Sequence, residues 1–481
     1  MARPLPTPVL TDGGEMYESA AKIYPHDVDG RFQRLRKLAV FWLLGMYYVF
    51  PWLQWNGRQM VLFDLPARQF HIFGLTFWPQ DFVYLSLLLM MAAFALFLFT
   101  ALAGRLWCGY ACPQTVWTET FMWMERWTEG SRNQRIKLDA APMSWNKFRR
   151  KASKQFLWVV FSLWTGFTFV GFFSPIRDLG AGLLALDIGA WEGFWMLFYS
   201  AATYGNAGYL REQVCKYMCP YARFQGAMFD RNTLLISYDT ARGEPRGARS
   251  KQADYKVLGL GDCIDCTVCV QVCPTGIDIR RGLQYECIAC GACIDACDSV
   301  MDKMGYPRGL VRYSTQNAIE GKPSRVLRPR MVIYAIILLA LLGGFSWSLL
   351  NRVPLIVDVM RDRNALYRET GDGRVENAYT IKLVNKDAHD HVFEIAVEAP
   401  VAMRILHGGE QHEQQHETHE RGHRTRLLQF KVDEQSVREI PLTLSAARAD
   451  AKGRIDIEFI VTNETDRGVN YRQKSSFIGP L

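Results

Sequence analysis

The sequence predicts a membrane α-helical protein with a cysteine-rich insert and a C-terminal β-sandwich, and three observations support that fold class. Five stretches lack charged residues for long enough to cross a hydrocarbon core of about 30 Å. Eight of the 12 cysteines fall within residues 263–297. Segments that alternate apolar and polar residues follow in the last part of the chain. With 481 residues, the chain is also too long for one compact core.

The uncharged stretches are the candidate membrane spans. The fourth of them is short and follows Glu192, so a buried or re-entrant helix is the alternative there. The five candidates are Leu38–Gly57, Phe82–Gly104, Gln155–Ile176, Gly193–Leu210 and Met331–Asn351.

Lysine and arginine residues concentrate on one side of the predicted topology. Six lie in the N-terminal tail and ten between Arg105 and Lys154, whereas the loops at 58–81 and 177–192 contain two and one. Cytoplasmic loops are enriched in these residues, so the net charge of +8 indicates membrane topology rather than nucleic-acid binding. A bacterial inner-membrane protein is predicted, with these parts: a cytoplasmic tail (1–37), four membrane helices with a cytoplasmic loop at 105–154 (38–210), a cytoplasmic cysteine-rich domain (211–330), a fifth helix (331–351) and a periplasmic domain (352–481).

The exported segment is predicted to be all β. Tyr379–Asn385, Val392–Glu398 and Ile455–Val461 alternate apolar and polar residues and are separated by turn residues. A small antiparallel sandwich of the immunoglobulin-like type is the expected fold. It contains no cysteine and therefore depends on its apolar core alone.

The strongest chemical signal is a repeated cysteine spacing. The first run has the pattern C-x2-C-x2-C-x3-C-P, and the second repeats it with Asp298 in place of the proline. Two such runs predict a bacterial-type ferredoxin domain with two [4Fe–4S] clusters, in which the fourth cysteine of each run ligates the other cluster. Zinc is the alternative, but zinc motifs favour paired Cys-x2-Cys knuckles. The predicted ligands are Cys263, Cys266, Cys269 and Cys297 for one cluster, and Cys287, Cys290, Cys293 and Cys273 for the other.

The remaining cysteines form two copies of a C-x3-C-P motif, one just past the second candidate span and one just past the fourth. Their i, i+4 spacing would put both thiols of a pair on one face of a helical turn, and all four could converge at the cytoplasmic membrane surface. Thiolates suit Cu(I) or iron–sulfur clusters, and Met218 could add a thioether. A metal site, for which copper is the candidate, is favoured over a catalytic dithiol, a structural pair or a further iron–sulfur cluster. The residues are Cys108, Cys112, Cys215 and Cys219.

A histidine-rich stretch runs from His407 to His423. The spacing of His412, His416, His419 and His423 would line one face of a helix and could chelate a transition metal. Because the surrounding domain is predicted to be β, a mobile inter-strand loop is the favoured interpretation. No Walker loop, G-x-S-x-G motif or dinucleotide fingerprint is present, so no nucleotide or flavin is predicted.

In this order, membrane helices, paired C-x3-C-P motifs and a two-cluster ferredoxin resemble the FixG/CcoG (RdxA) family of cytochrome c oxidase accessory proteins. The resemblance runs nearly end to end and includes Ile23–Phe32 and the segment WCGYACPQTV at Trp107–Val116. It implies a copper reductase that turns Cu(II) into Cu(I) for assembly of the cbb3-type oxidase. It also implies copper chaperones or a copper transporter and oxidase assembly components as partners. The family's C-x3-C-P positions match the two pairs given above, which are therefore the predicted catalytic residues.

Two other functions remain open from the sequence. Membrane ferredoxins of the quinol-dehydrogenase type also combine C-x3-C-P motifs with two clusters, and they relay electrons from quinol. A non-enzymatic scaffold for oxidase assembly is the third hypothesis. Membrane lipid and an electron donor that the sequence does not identify are the other expected partners, and no nucleic acid is expected.

Overall fold

The computed structural model describes residues 22–352, 355–362, 365–386, 389–407, 415–419, 422–434, 436–463 and 470–480. The helices are α1 (Arg31–Val49), α2 (Phe82–Ala103), α3 (Leu106–Tyr110), α4 (Pro113–Glu129), α5 (Arg132–Ala140), α6 (Trp145–Val170), α7 (Ile176–Ala185), α8 (Ala190–Thr203), α9 (Pro220–Met228), α10 (Thr240–Gly243), α11 (Val268–Gln271), α12 (Ala292–Met304), α13 (Gln316–Ile319) and α14 (Pro329–Leu350). π-Helical turns cover Tyr204–Leu210 and Val214–Met218.

The strands are β1 (Gln54–Trp55), β2 (Arg58–Gln59), β3 (Val61–Asp64), β4 (Gln69–Ile72), β5 (Leu75–Phe77), β6 (Leu235–Tyr238), β7 (Val311–Ser314), β8 (Leu355–Arg361), β9 (Arg368–Glu369), β10 (Arg374–Asn385), β11 (His391–Ala399), β12 (Met403–Leu406), β13 (Gln415–His419), β14 (Gly422–Val432), β15 (Val437–Ala447), β16 (Arg454–Asn463) and β17 (Asn470–Ile478). The chain divides into two compact units. The first comprises residues 1–74 and 82–342, and the second comprises residues 75–81 and 343–481.

Among the described residues, two helices are long and apolar enough to cross a membrane by length and composition. They are Pro79–Ala103 and Pro329–Leu350, which coincide with the second and fifth candidate spans. A third candidate is the pair Ile176–Ala185 and Ala190–Leu210, whose two halves meet at an angle of 98°. This broken pair contains the fourth candidate span, where a re-entrant helix was the alternative.

The helices that contain the first and third candidate spans also contain charged residues. Within Leu38–Gly57, helix α1 ends at Val49, and Pro51 sits in a 3₁₀ turn that leads into the β1–β2 hairpin. The uncharged helical part is therefore 12 residues, or about 18 Å at 1.5 Å per residue. Helix α6 begins at Trp145 and includes the basic run at 149–151. The five-span arrangement accordingly stays a prediction.

The cysteine-rich part of the first unit is a small α/β fold. Strand β6 pairs antiparallel with β7 from Leu235 opposite Ser314 to Tyr238 opposite Val311. Helices α11 and α12 lie within the two cysteine runs, with Cys269 in α11 and Cys293 and Cys297 in α12, and they pack against each other. Apolar side chains from the strands and from α12 fill the core, so the two runs are held on one compact support.

Helix α1 is fastened to this fold by a distant carboxylate. Asp295 of α12 accepts hydrogen bonds from the backbone N–H groups of Phe32 (3.2 Å) and Gln33 (2.8 Å). The first N–H groups of a helix have no partner within the helix, so Asp295 acts as an N-cap for α1. A Cβ atom on Gly30 would overlap the Asp295 side chain, which explains the glycine at the start of the helix.

The second unit is a sandwich of two antiparallel sheets. One has the strand order β12-β15-β10-β8, with β9 also paired to β10, and the other has the order β13-β14-β11-β16-β17. The three alternating segments expected from the sequence lie within β10, β11 and β16. Their buried positions alternate, and the inward side chains of both sheets form one apolar core.

The histidine-rich stretch contradicts both expectations for it where it is described. His416 and His419 lie in strand β13, which pairs with β14 so that His419 is opposite Gly422 and Thr418 is opposite His423. A strand has a two-residue period, so the helical spacing that would have lined up these histidines does not apply. His412 lies outside the described residues.

The second unit contains a buried group of ion pairs centred on Asp81. Asp81 accepts hydrogen bonds from Arg352 (2.6 Å) and Lys386 (2.7 Å), and all three side chains are almost fully buried. Asp81→Asn would leave two cations buried without their counter-charge, a change that costs about 3–5 kcal/mol. We expect a lower melting temperature of the purified full chain in detergent. The control is Asp456→Asn, since Asp456 forms a solvent-exposed ion pair with Arg454. Equal melting temperatures for the two variants would contradict the prediction.

Candidate metal centres

The first group of cysteines lines a cavity, here named the first cysteine cavity. Apart from Tyr238, Thr267 and Arg280, its other walls are aliphatic or methionine side chains. Asp265 and Thr267 both have left-handed backbone conformations (φ 52° and 58°), so the chain turns sharply on each side of Cys266. The cysteines that line this cavity are Cys263, Cys266, Cys269 and Cys297.

The second group surrounds a neighbouring cavity, the second cysteine cavity, and Cys269 reaches this one too. Ala289 and Gly291 have left-handed conformations (φ 53° and 78°) on each side of Cys290, which repeats the backbone pattern of the first loop. The other cysteines that line the cavity are Cys273, Cys287, Cys290 and Cys293.

These cavities fit the donor chemistry of iron–sulfur clusters. Each offers at least four free cysteines in largely apolar surroundings. Burial raises the pKa of Cys269 to about 12, and a metal that binds such a thiol displaces its proton. Across the described part of the chain, no three His, Cys, Asp or Glu side chains lie close enough together to hold a single metal ion. A cubane does not need that convergence, because its four thiolates bind four different iron atoms.

Buried arginines lie beside the second cysteine cavity. Arg36 forms an ion pair with Glu119 at 2.9 Å, and both side chains are almost fully buried. Burial raises the pKa of Cys290, while the Arg36 guanidinium acts in the opposite direction. Arg105 acts on Cys287 in the same way. Both guanidinium groups therefore place positive charge close to these thiols.

The two C-x3-C-P motifs adopt similar local structures, with an α-helical turn in the first and a π-helical turn in the second. In each, the first cysteine lies in a short helical turn, which is α3 for Cys108 and Val214–Met218 for Cys215. The second cysteine leaves the turn in an extended conformation and becomes the N-cap of the next helix, with proline at N1. The expected helical i, i+4 geometry is thus broken at the second cysteine by the proline that follows it.

The four thiols of these motifs are near enough to act on one another electrostatically, and they are named here the four-thiol site (Cys108, Cys112, Cys215 and Cys219). Burial, together with the other three thiols, raises the pKa of Cys108 to about 12, although Arg105 opposes them. Burial also raises the pKa of Cys215 to about 11, again with contributions from Cys112 and Cys219. The structure therefore brings together two motifs that are about 100 residues apart in sequence. Met218, the suggested thioether ligand, is 59% exposed.

Two buried polar side chains that sequence reasoning missed support the four-thiol site. The thiol of Cys108 donates a hydrogen bond to Oε1 of Gln225 (3.2 Å), and Gln225 is fully buried. Arg105 donates hydrogen bonds to the carbonyl oxygens of Tyr285 and Ala222. Its guanidinium carbon Cζ also lies 4.7 Å from the centroid of the Tyr285 ring. In the sequence, Arg105 was only one of the basic residues that indicate the membrane topology. Its position next to Gly104, at the end of an apolar helix, was the available signal.

The four-thiol site lies directly against the second cysteine cavity. A Cβ atom on Gly109 would lie 2.7 Å from the carbonyl oxygen of Ile288 and 3.0 Å from Cα of Cys290. Cys108 packs against the same loop. Tyr110 donates a hydrogen bond to the carbonyl oxygen of Cys290 (3.2 Å). The short C-x3-C turn therefore touches the backbone that holds the second set of cysteines.

A buried carboxylate connects the two C-x3-C-P segments. Glu125 of α4 accepts hydrogen bonds from Arg211 (2.6 Å), which lies four residues before Cys215, and from Arg135 (3.0 Å). Burial alone would raise the pKa of Glu125, but Arg211 and Arg135 hold it below its usual range. The ion pairs fix α4 and the segment around Arg211 relative to each other, and with them the cysteines that each provides.

Three family models match this chain. Residues 84–131 match a "4Fe-4S binding domain", residues 210–316 match a "4Fe-4S dicluster domain", and residues 345–480 match the IG-like fold at the C-terminal of FixG. The first range contains Cys108 and Cys112, and the second contains all ten other cysteines.

Curated relatives match most of the chain. The nitrogen fixation protein FixG of Rhizobium meliloti is 40% identical over 434 residues, which cover 82% of this chain and 83% of the relative. This chain belongs to the FixG family. Proteins RdxB and RdxA of Cereibacter sphaeroides are each 40% identical as well, over 415 and 405 residues. These alignments cover 82% and 81% of this chain and 86% and 85% of the relatives. The resemblance to the FixG family is thereby confirmed, as are the iron–sulfur character and the immunoglobulin-like domain.

Proposed function

We propose that this FixG-family chain is a membrane-bound iron–sulfur oxidoreductase that reduces Cu(II) to Cu(I) for assembly of a cbb3-type cytochrome c oxidase. The observation that supports it most is the direct packing of the four-thiol site on the second cysteine cavity, at Gly109. A group of soft sulfur donors beside a one-electron centre suits an acceptor that takes one electron and becomes a soft cation.

The cysteines of the two cavities would hold the clusters. In the first cavity the ligands would be Cys263, Cys266, Cys269 and Cys297, and in the second Cys273, Cys287, Cys290 and Cys293. The clusters supply one-electron transfer when they are bound. Copper is the substrate: each Cu(II) gains one electron and leaves as Cu(I). The electron comes from a low-potential one-electron donor of the ferredoxin or flavodoxin class. The chain's own residues hold the sites close together and line the two cavities mainly with apolar side chains.

The proposal includes a location in the bacterial inner membrane. The N-terminal tail and the ferredoxin-type domain would be cytoplasmic, and the β-sandwich would be periplasmic. The distribution of lysine and arginine along the sequence supports this sidedness. Copper chaperones or a copper transporter would then exchange copper with the protein, and oxidase assembly components would receive it.

Copper reduction can be measured on anaerobically purified full chain in detergent. The protein is reduced with dithionite, desalted and mixed with Cu(II), and Cu(I) formation is followed by stopped flow with a Cu(I)-specific chelator. We expect rapid Cu(I) formation by the wild type. The double variant Cys108→Ser, Cys112→Ser should lose at least about tenfold in rate, because it removes the thiols beside the second cavity. The spectra of the two ferredoxin-type clusters serve as the control for folding.

Other outcomes would reject this function. A wild type with its clusters in place that reduces no Cu(II) overturns the proposal. If that protein instead oxidises a quinol analogue, the quinol relay takes its place. If it neither reduces Cu(II) nor oxidises quinol, the assembly scaffold becomes the favoured function. A double variant that reduces Cu(II) at the wild-type rate would exclude the four-thiol site from the path.

A further inference from the structure

We propose that electrons enter this protein at the first cysteine cavity, from a soluble, acidic protein that carries one electron at a time and docks over Cys266. This deepens the proposed function and rests on it, because it identifies where the electron donor binds and which surface chemistry that donor has. The docking area is here named the entry surface, and it comprises Lys251, Lys256, Val257, Leu258, Cys266 and Arg281.

Cys266 is the point at which the predicted cluster ligands reach the surface. It is exposed, whereas the other eleven cysteines are buried or partly buried. Asp265 and Thr267 on each side of it have left-handed backbone conformations, so the chain turns sharply there. A partner protein can therefore bring its redox centre closer to a cluster in the first cavity than to one in the second, where every lining cysteine is at least partly buried.

The first cavity is also the one farther from the end of helix α2. Strand β6 begins beside that end, where the backbone N–H of Leu234 donates a hydrogen bond to the carbonyl oxygen of Leu102 (3.0 Å). The strand ends at Tyr238, which lines the first cavity, and its length corresponds to about 10 Å. The second cavity instead contacts the turn around Gly109, just past α2. A soluble partner can therefore approach the first cavity without meeting the membrane that α2 is proposed to cross.

The contacts between the sites give the electron a direction. Cys269 lines both cysteine cavities, and Gly109 packs against the carbonyl oxygen of Ile288 in the second. The second cavity thus connects the first cavity to the turn that contains Cys108. Each encounter oxidises the carrier by one electron and delivers that electron to the first cavity, from which it passes to the second and then to this turn.

A basic turn lies on one side of Cys266. Arg280 donates hydrogen bonds from Nε and Nη2 to Asp278 (both 2.8 Å) and from Nη1 to Asp265, the neighbour of Cys266. The guanidinium thereby holds the turn at 279–281 against the first cysteine run. Arg281, the next residue of that turn, is 80% exposed. Its charge is therefore available to a partner that docks beside Cys266.

A basic loop is attached to the same cysteine run. The backbone N–H of Gly247 (3.2 Å) and the side chain of Arg249 (3.3 Å) both donate hydrogen bonds to the carbonyl oxygen of Cys263. The loop that follows contains Lys251 and Lys256, which are exposed. Between residues 250 and 283, three basic side chains and two carboxylates are exposed, and one of these carboxylates is already ion-paired. The excess of positive charge favours an acidic partner and speeds its docking.

The tip of this loop is apolar. Val257 and Leu258 are 82% and 59% exposed. Weak electron-transfer complexes have small interfaces, and an apolar centre with a charged rim suits such a contact. A loop with exposed basic and apolar residues would also suit an anionic lipid surface. A protein partner is favoured, because the loop is attached to the run that lines the first cavity, about 10 Å beyond the end of α2.

The test uses the full chain in detergent and a bacterial flavodoxin of net negative charge as the carrier. Carbodiimide coupling joins lysines to carboxylates that touch them, and mass spectrometry locates the joined residues. We expect coupling at Lys251 and Lys256 that is lost at high ionic strength. In stopped flow without copper, reduced flavodoxin should reduce the triple variant Lys251→Glu, Lys256→Glu, Arg281→Glu at least about tenfold more slowly than the wild type.

Two controls accompany this test. Dithionite should reduce the wild type and the triple variant to the same final extent, which shows that the variant retains its clusters. A second triple variant has the same change in charge at exposed residues beside α6 and α14, and flavodoxin should reduce it at the wild-type rate. Its substitutions are Arg149→Glu, Lys322→Glu and Arg325→Glu.

Three results would overturn the inference. The first is a wild-type rate of reduction by flavodoxin in the entry-surface variant. The second is a wild type that a quinol analogue reduces and flavodoxin does not. The third is protection of Lys251 and Lys256 from trypsin in phosphatidylglycerol nanodiscs but not in phosphatidylcholine nanodiscs, which would make lipid the occupant of the loop.

The proposed function and this inference can fail separately. A wild type that accepts electrons from flavodoxin at the entry surface but reduces no Cu(II) would reject the proposed function and leave the entry surface standing. A wild type that reduces Cu(II) after dithionite but accepts no electron from flavodoxin would do the reverse.

Discussion

Gly109→Ala is expected to remove about one cluster, or about four irons per chain, from the purified protein. The added Cβ atom would meet backbone rather than flexible side chains: the carbonyl oxygens of Ile288 and Ala289 at 2.7 and 3.0 Å, and Cα of Cys290 at 3.0 Å. Contacts of this kind are relieved only if the C-x3-C turn or the loop around Cys290 moves. Overpacking a fixed site typically costs about 1–3 kcal/mol. Since this loop supplies ligands to the second cavity, cluster retention there should suffer first.

A matched control separates this effect from a general loss of stability. Gly45 is also helical, and a Cβ atom there would have nothing within 4 Å, so Gly45→Ala should retain the wild-type iron content. Iron and sulfide analysis gives the cluster number, and EPR shows which signal is lost. If Gly109→Ala retains every cluster with unchanged signals, the close approach of the two sites is wrong. If the signal of the first cavity is lost selectively, the packing assigned to Gly109 is wrong.

Features that depend on neighbouring residues could be predicted from the sequence. The cysteine spacing is visible because each loop wraps its ligands within a few residues, as the left-handed residues around Cys266 and Cys290 show. The alternation in β10, β11 and β16 is visible because each strand buries one face in the sandwich core. Helices α2 and α14 are visible because their apolar stretches are long and have no charged residues in their interiors.

Features that depend on distant contacts could not be predicted. Asp295 caps α1 across 263 positions of sequence, and nothing in the spacing of either segment indicates that pairing. The convergence of the C-x3-C-P motifs was a hypothesis from topology, but the ion pairs of Glu125 with Arg211 and Arg135 that fix it come from three separate segments. The histidine spacing was misleading because it suits a helix, whereas the strand pairing of β13 with β14 determines the local structure.

Arg105→Gln is expected to lower the reduction potential of the cluster in the second cavity by on the order of 60 mV, a tenfold change in a one-electron equilibrium constant. Arg105 is 4% exposed and acts electrostatically on Cys287 of that cavity and on Cys108 and Cys215 of the four-thiol site. A buried cation stabilises the reduced cluster, which has one more negative charge, because the low dielectric strengthens their attraction. Removal of that cation therefore disfavours reduction, and electrons would reach the four-thiol site less readily.

Two further variants separate the charge from the contacts that Arg105 makes. Arg105→Lys retains the charge but cannot bond the carbonyls of Tyr285 and Ala222 as a planar guanidinium does, so its potential should stay closer to that of the wild type. Arg281 is 80% exposed on the ferredoxin-type fold, and solvent screens its charge, so Arg281→Gln should leave the potentials unchanged. An EPR-monitored redox titration of each variant gives the values. Equal shifts in the glutamine and lysine variants would attribute the effect to packing. No shift in Arg105→Gln would mean that this arginine does not tune the second cavity, because its charge is the only means by which it could set the potential without moving a ligand.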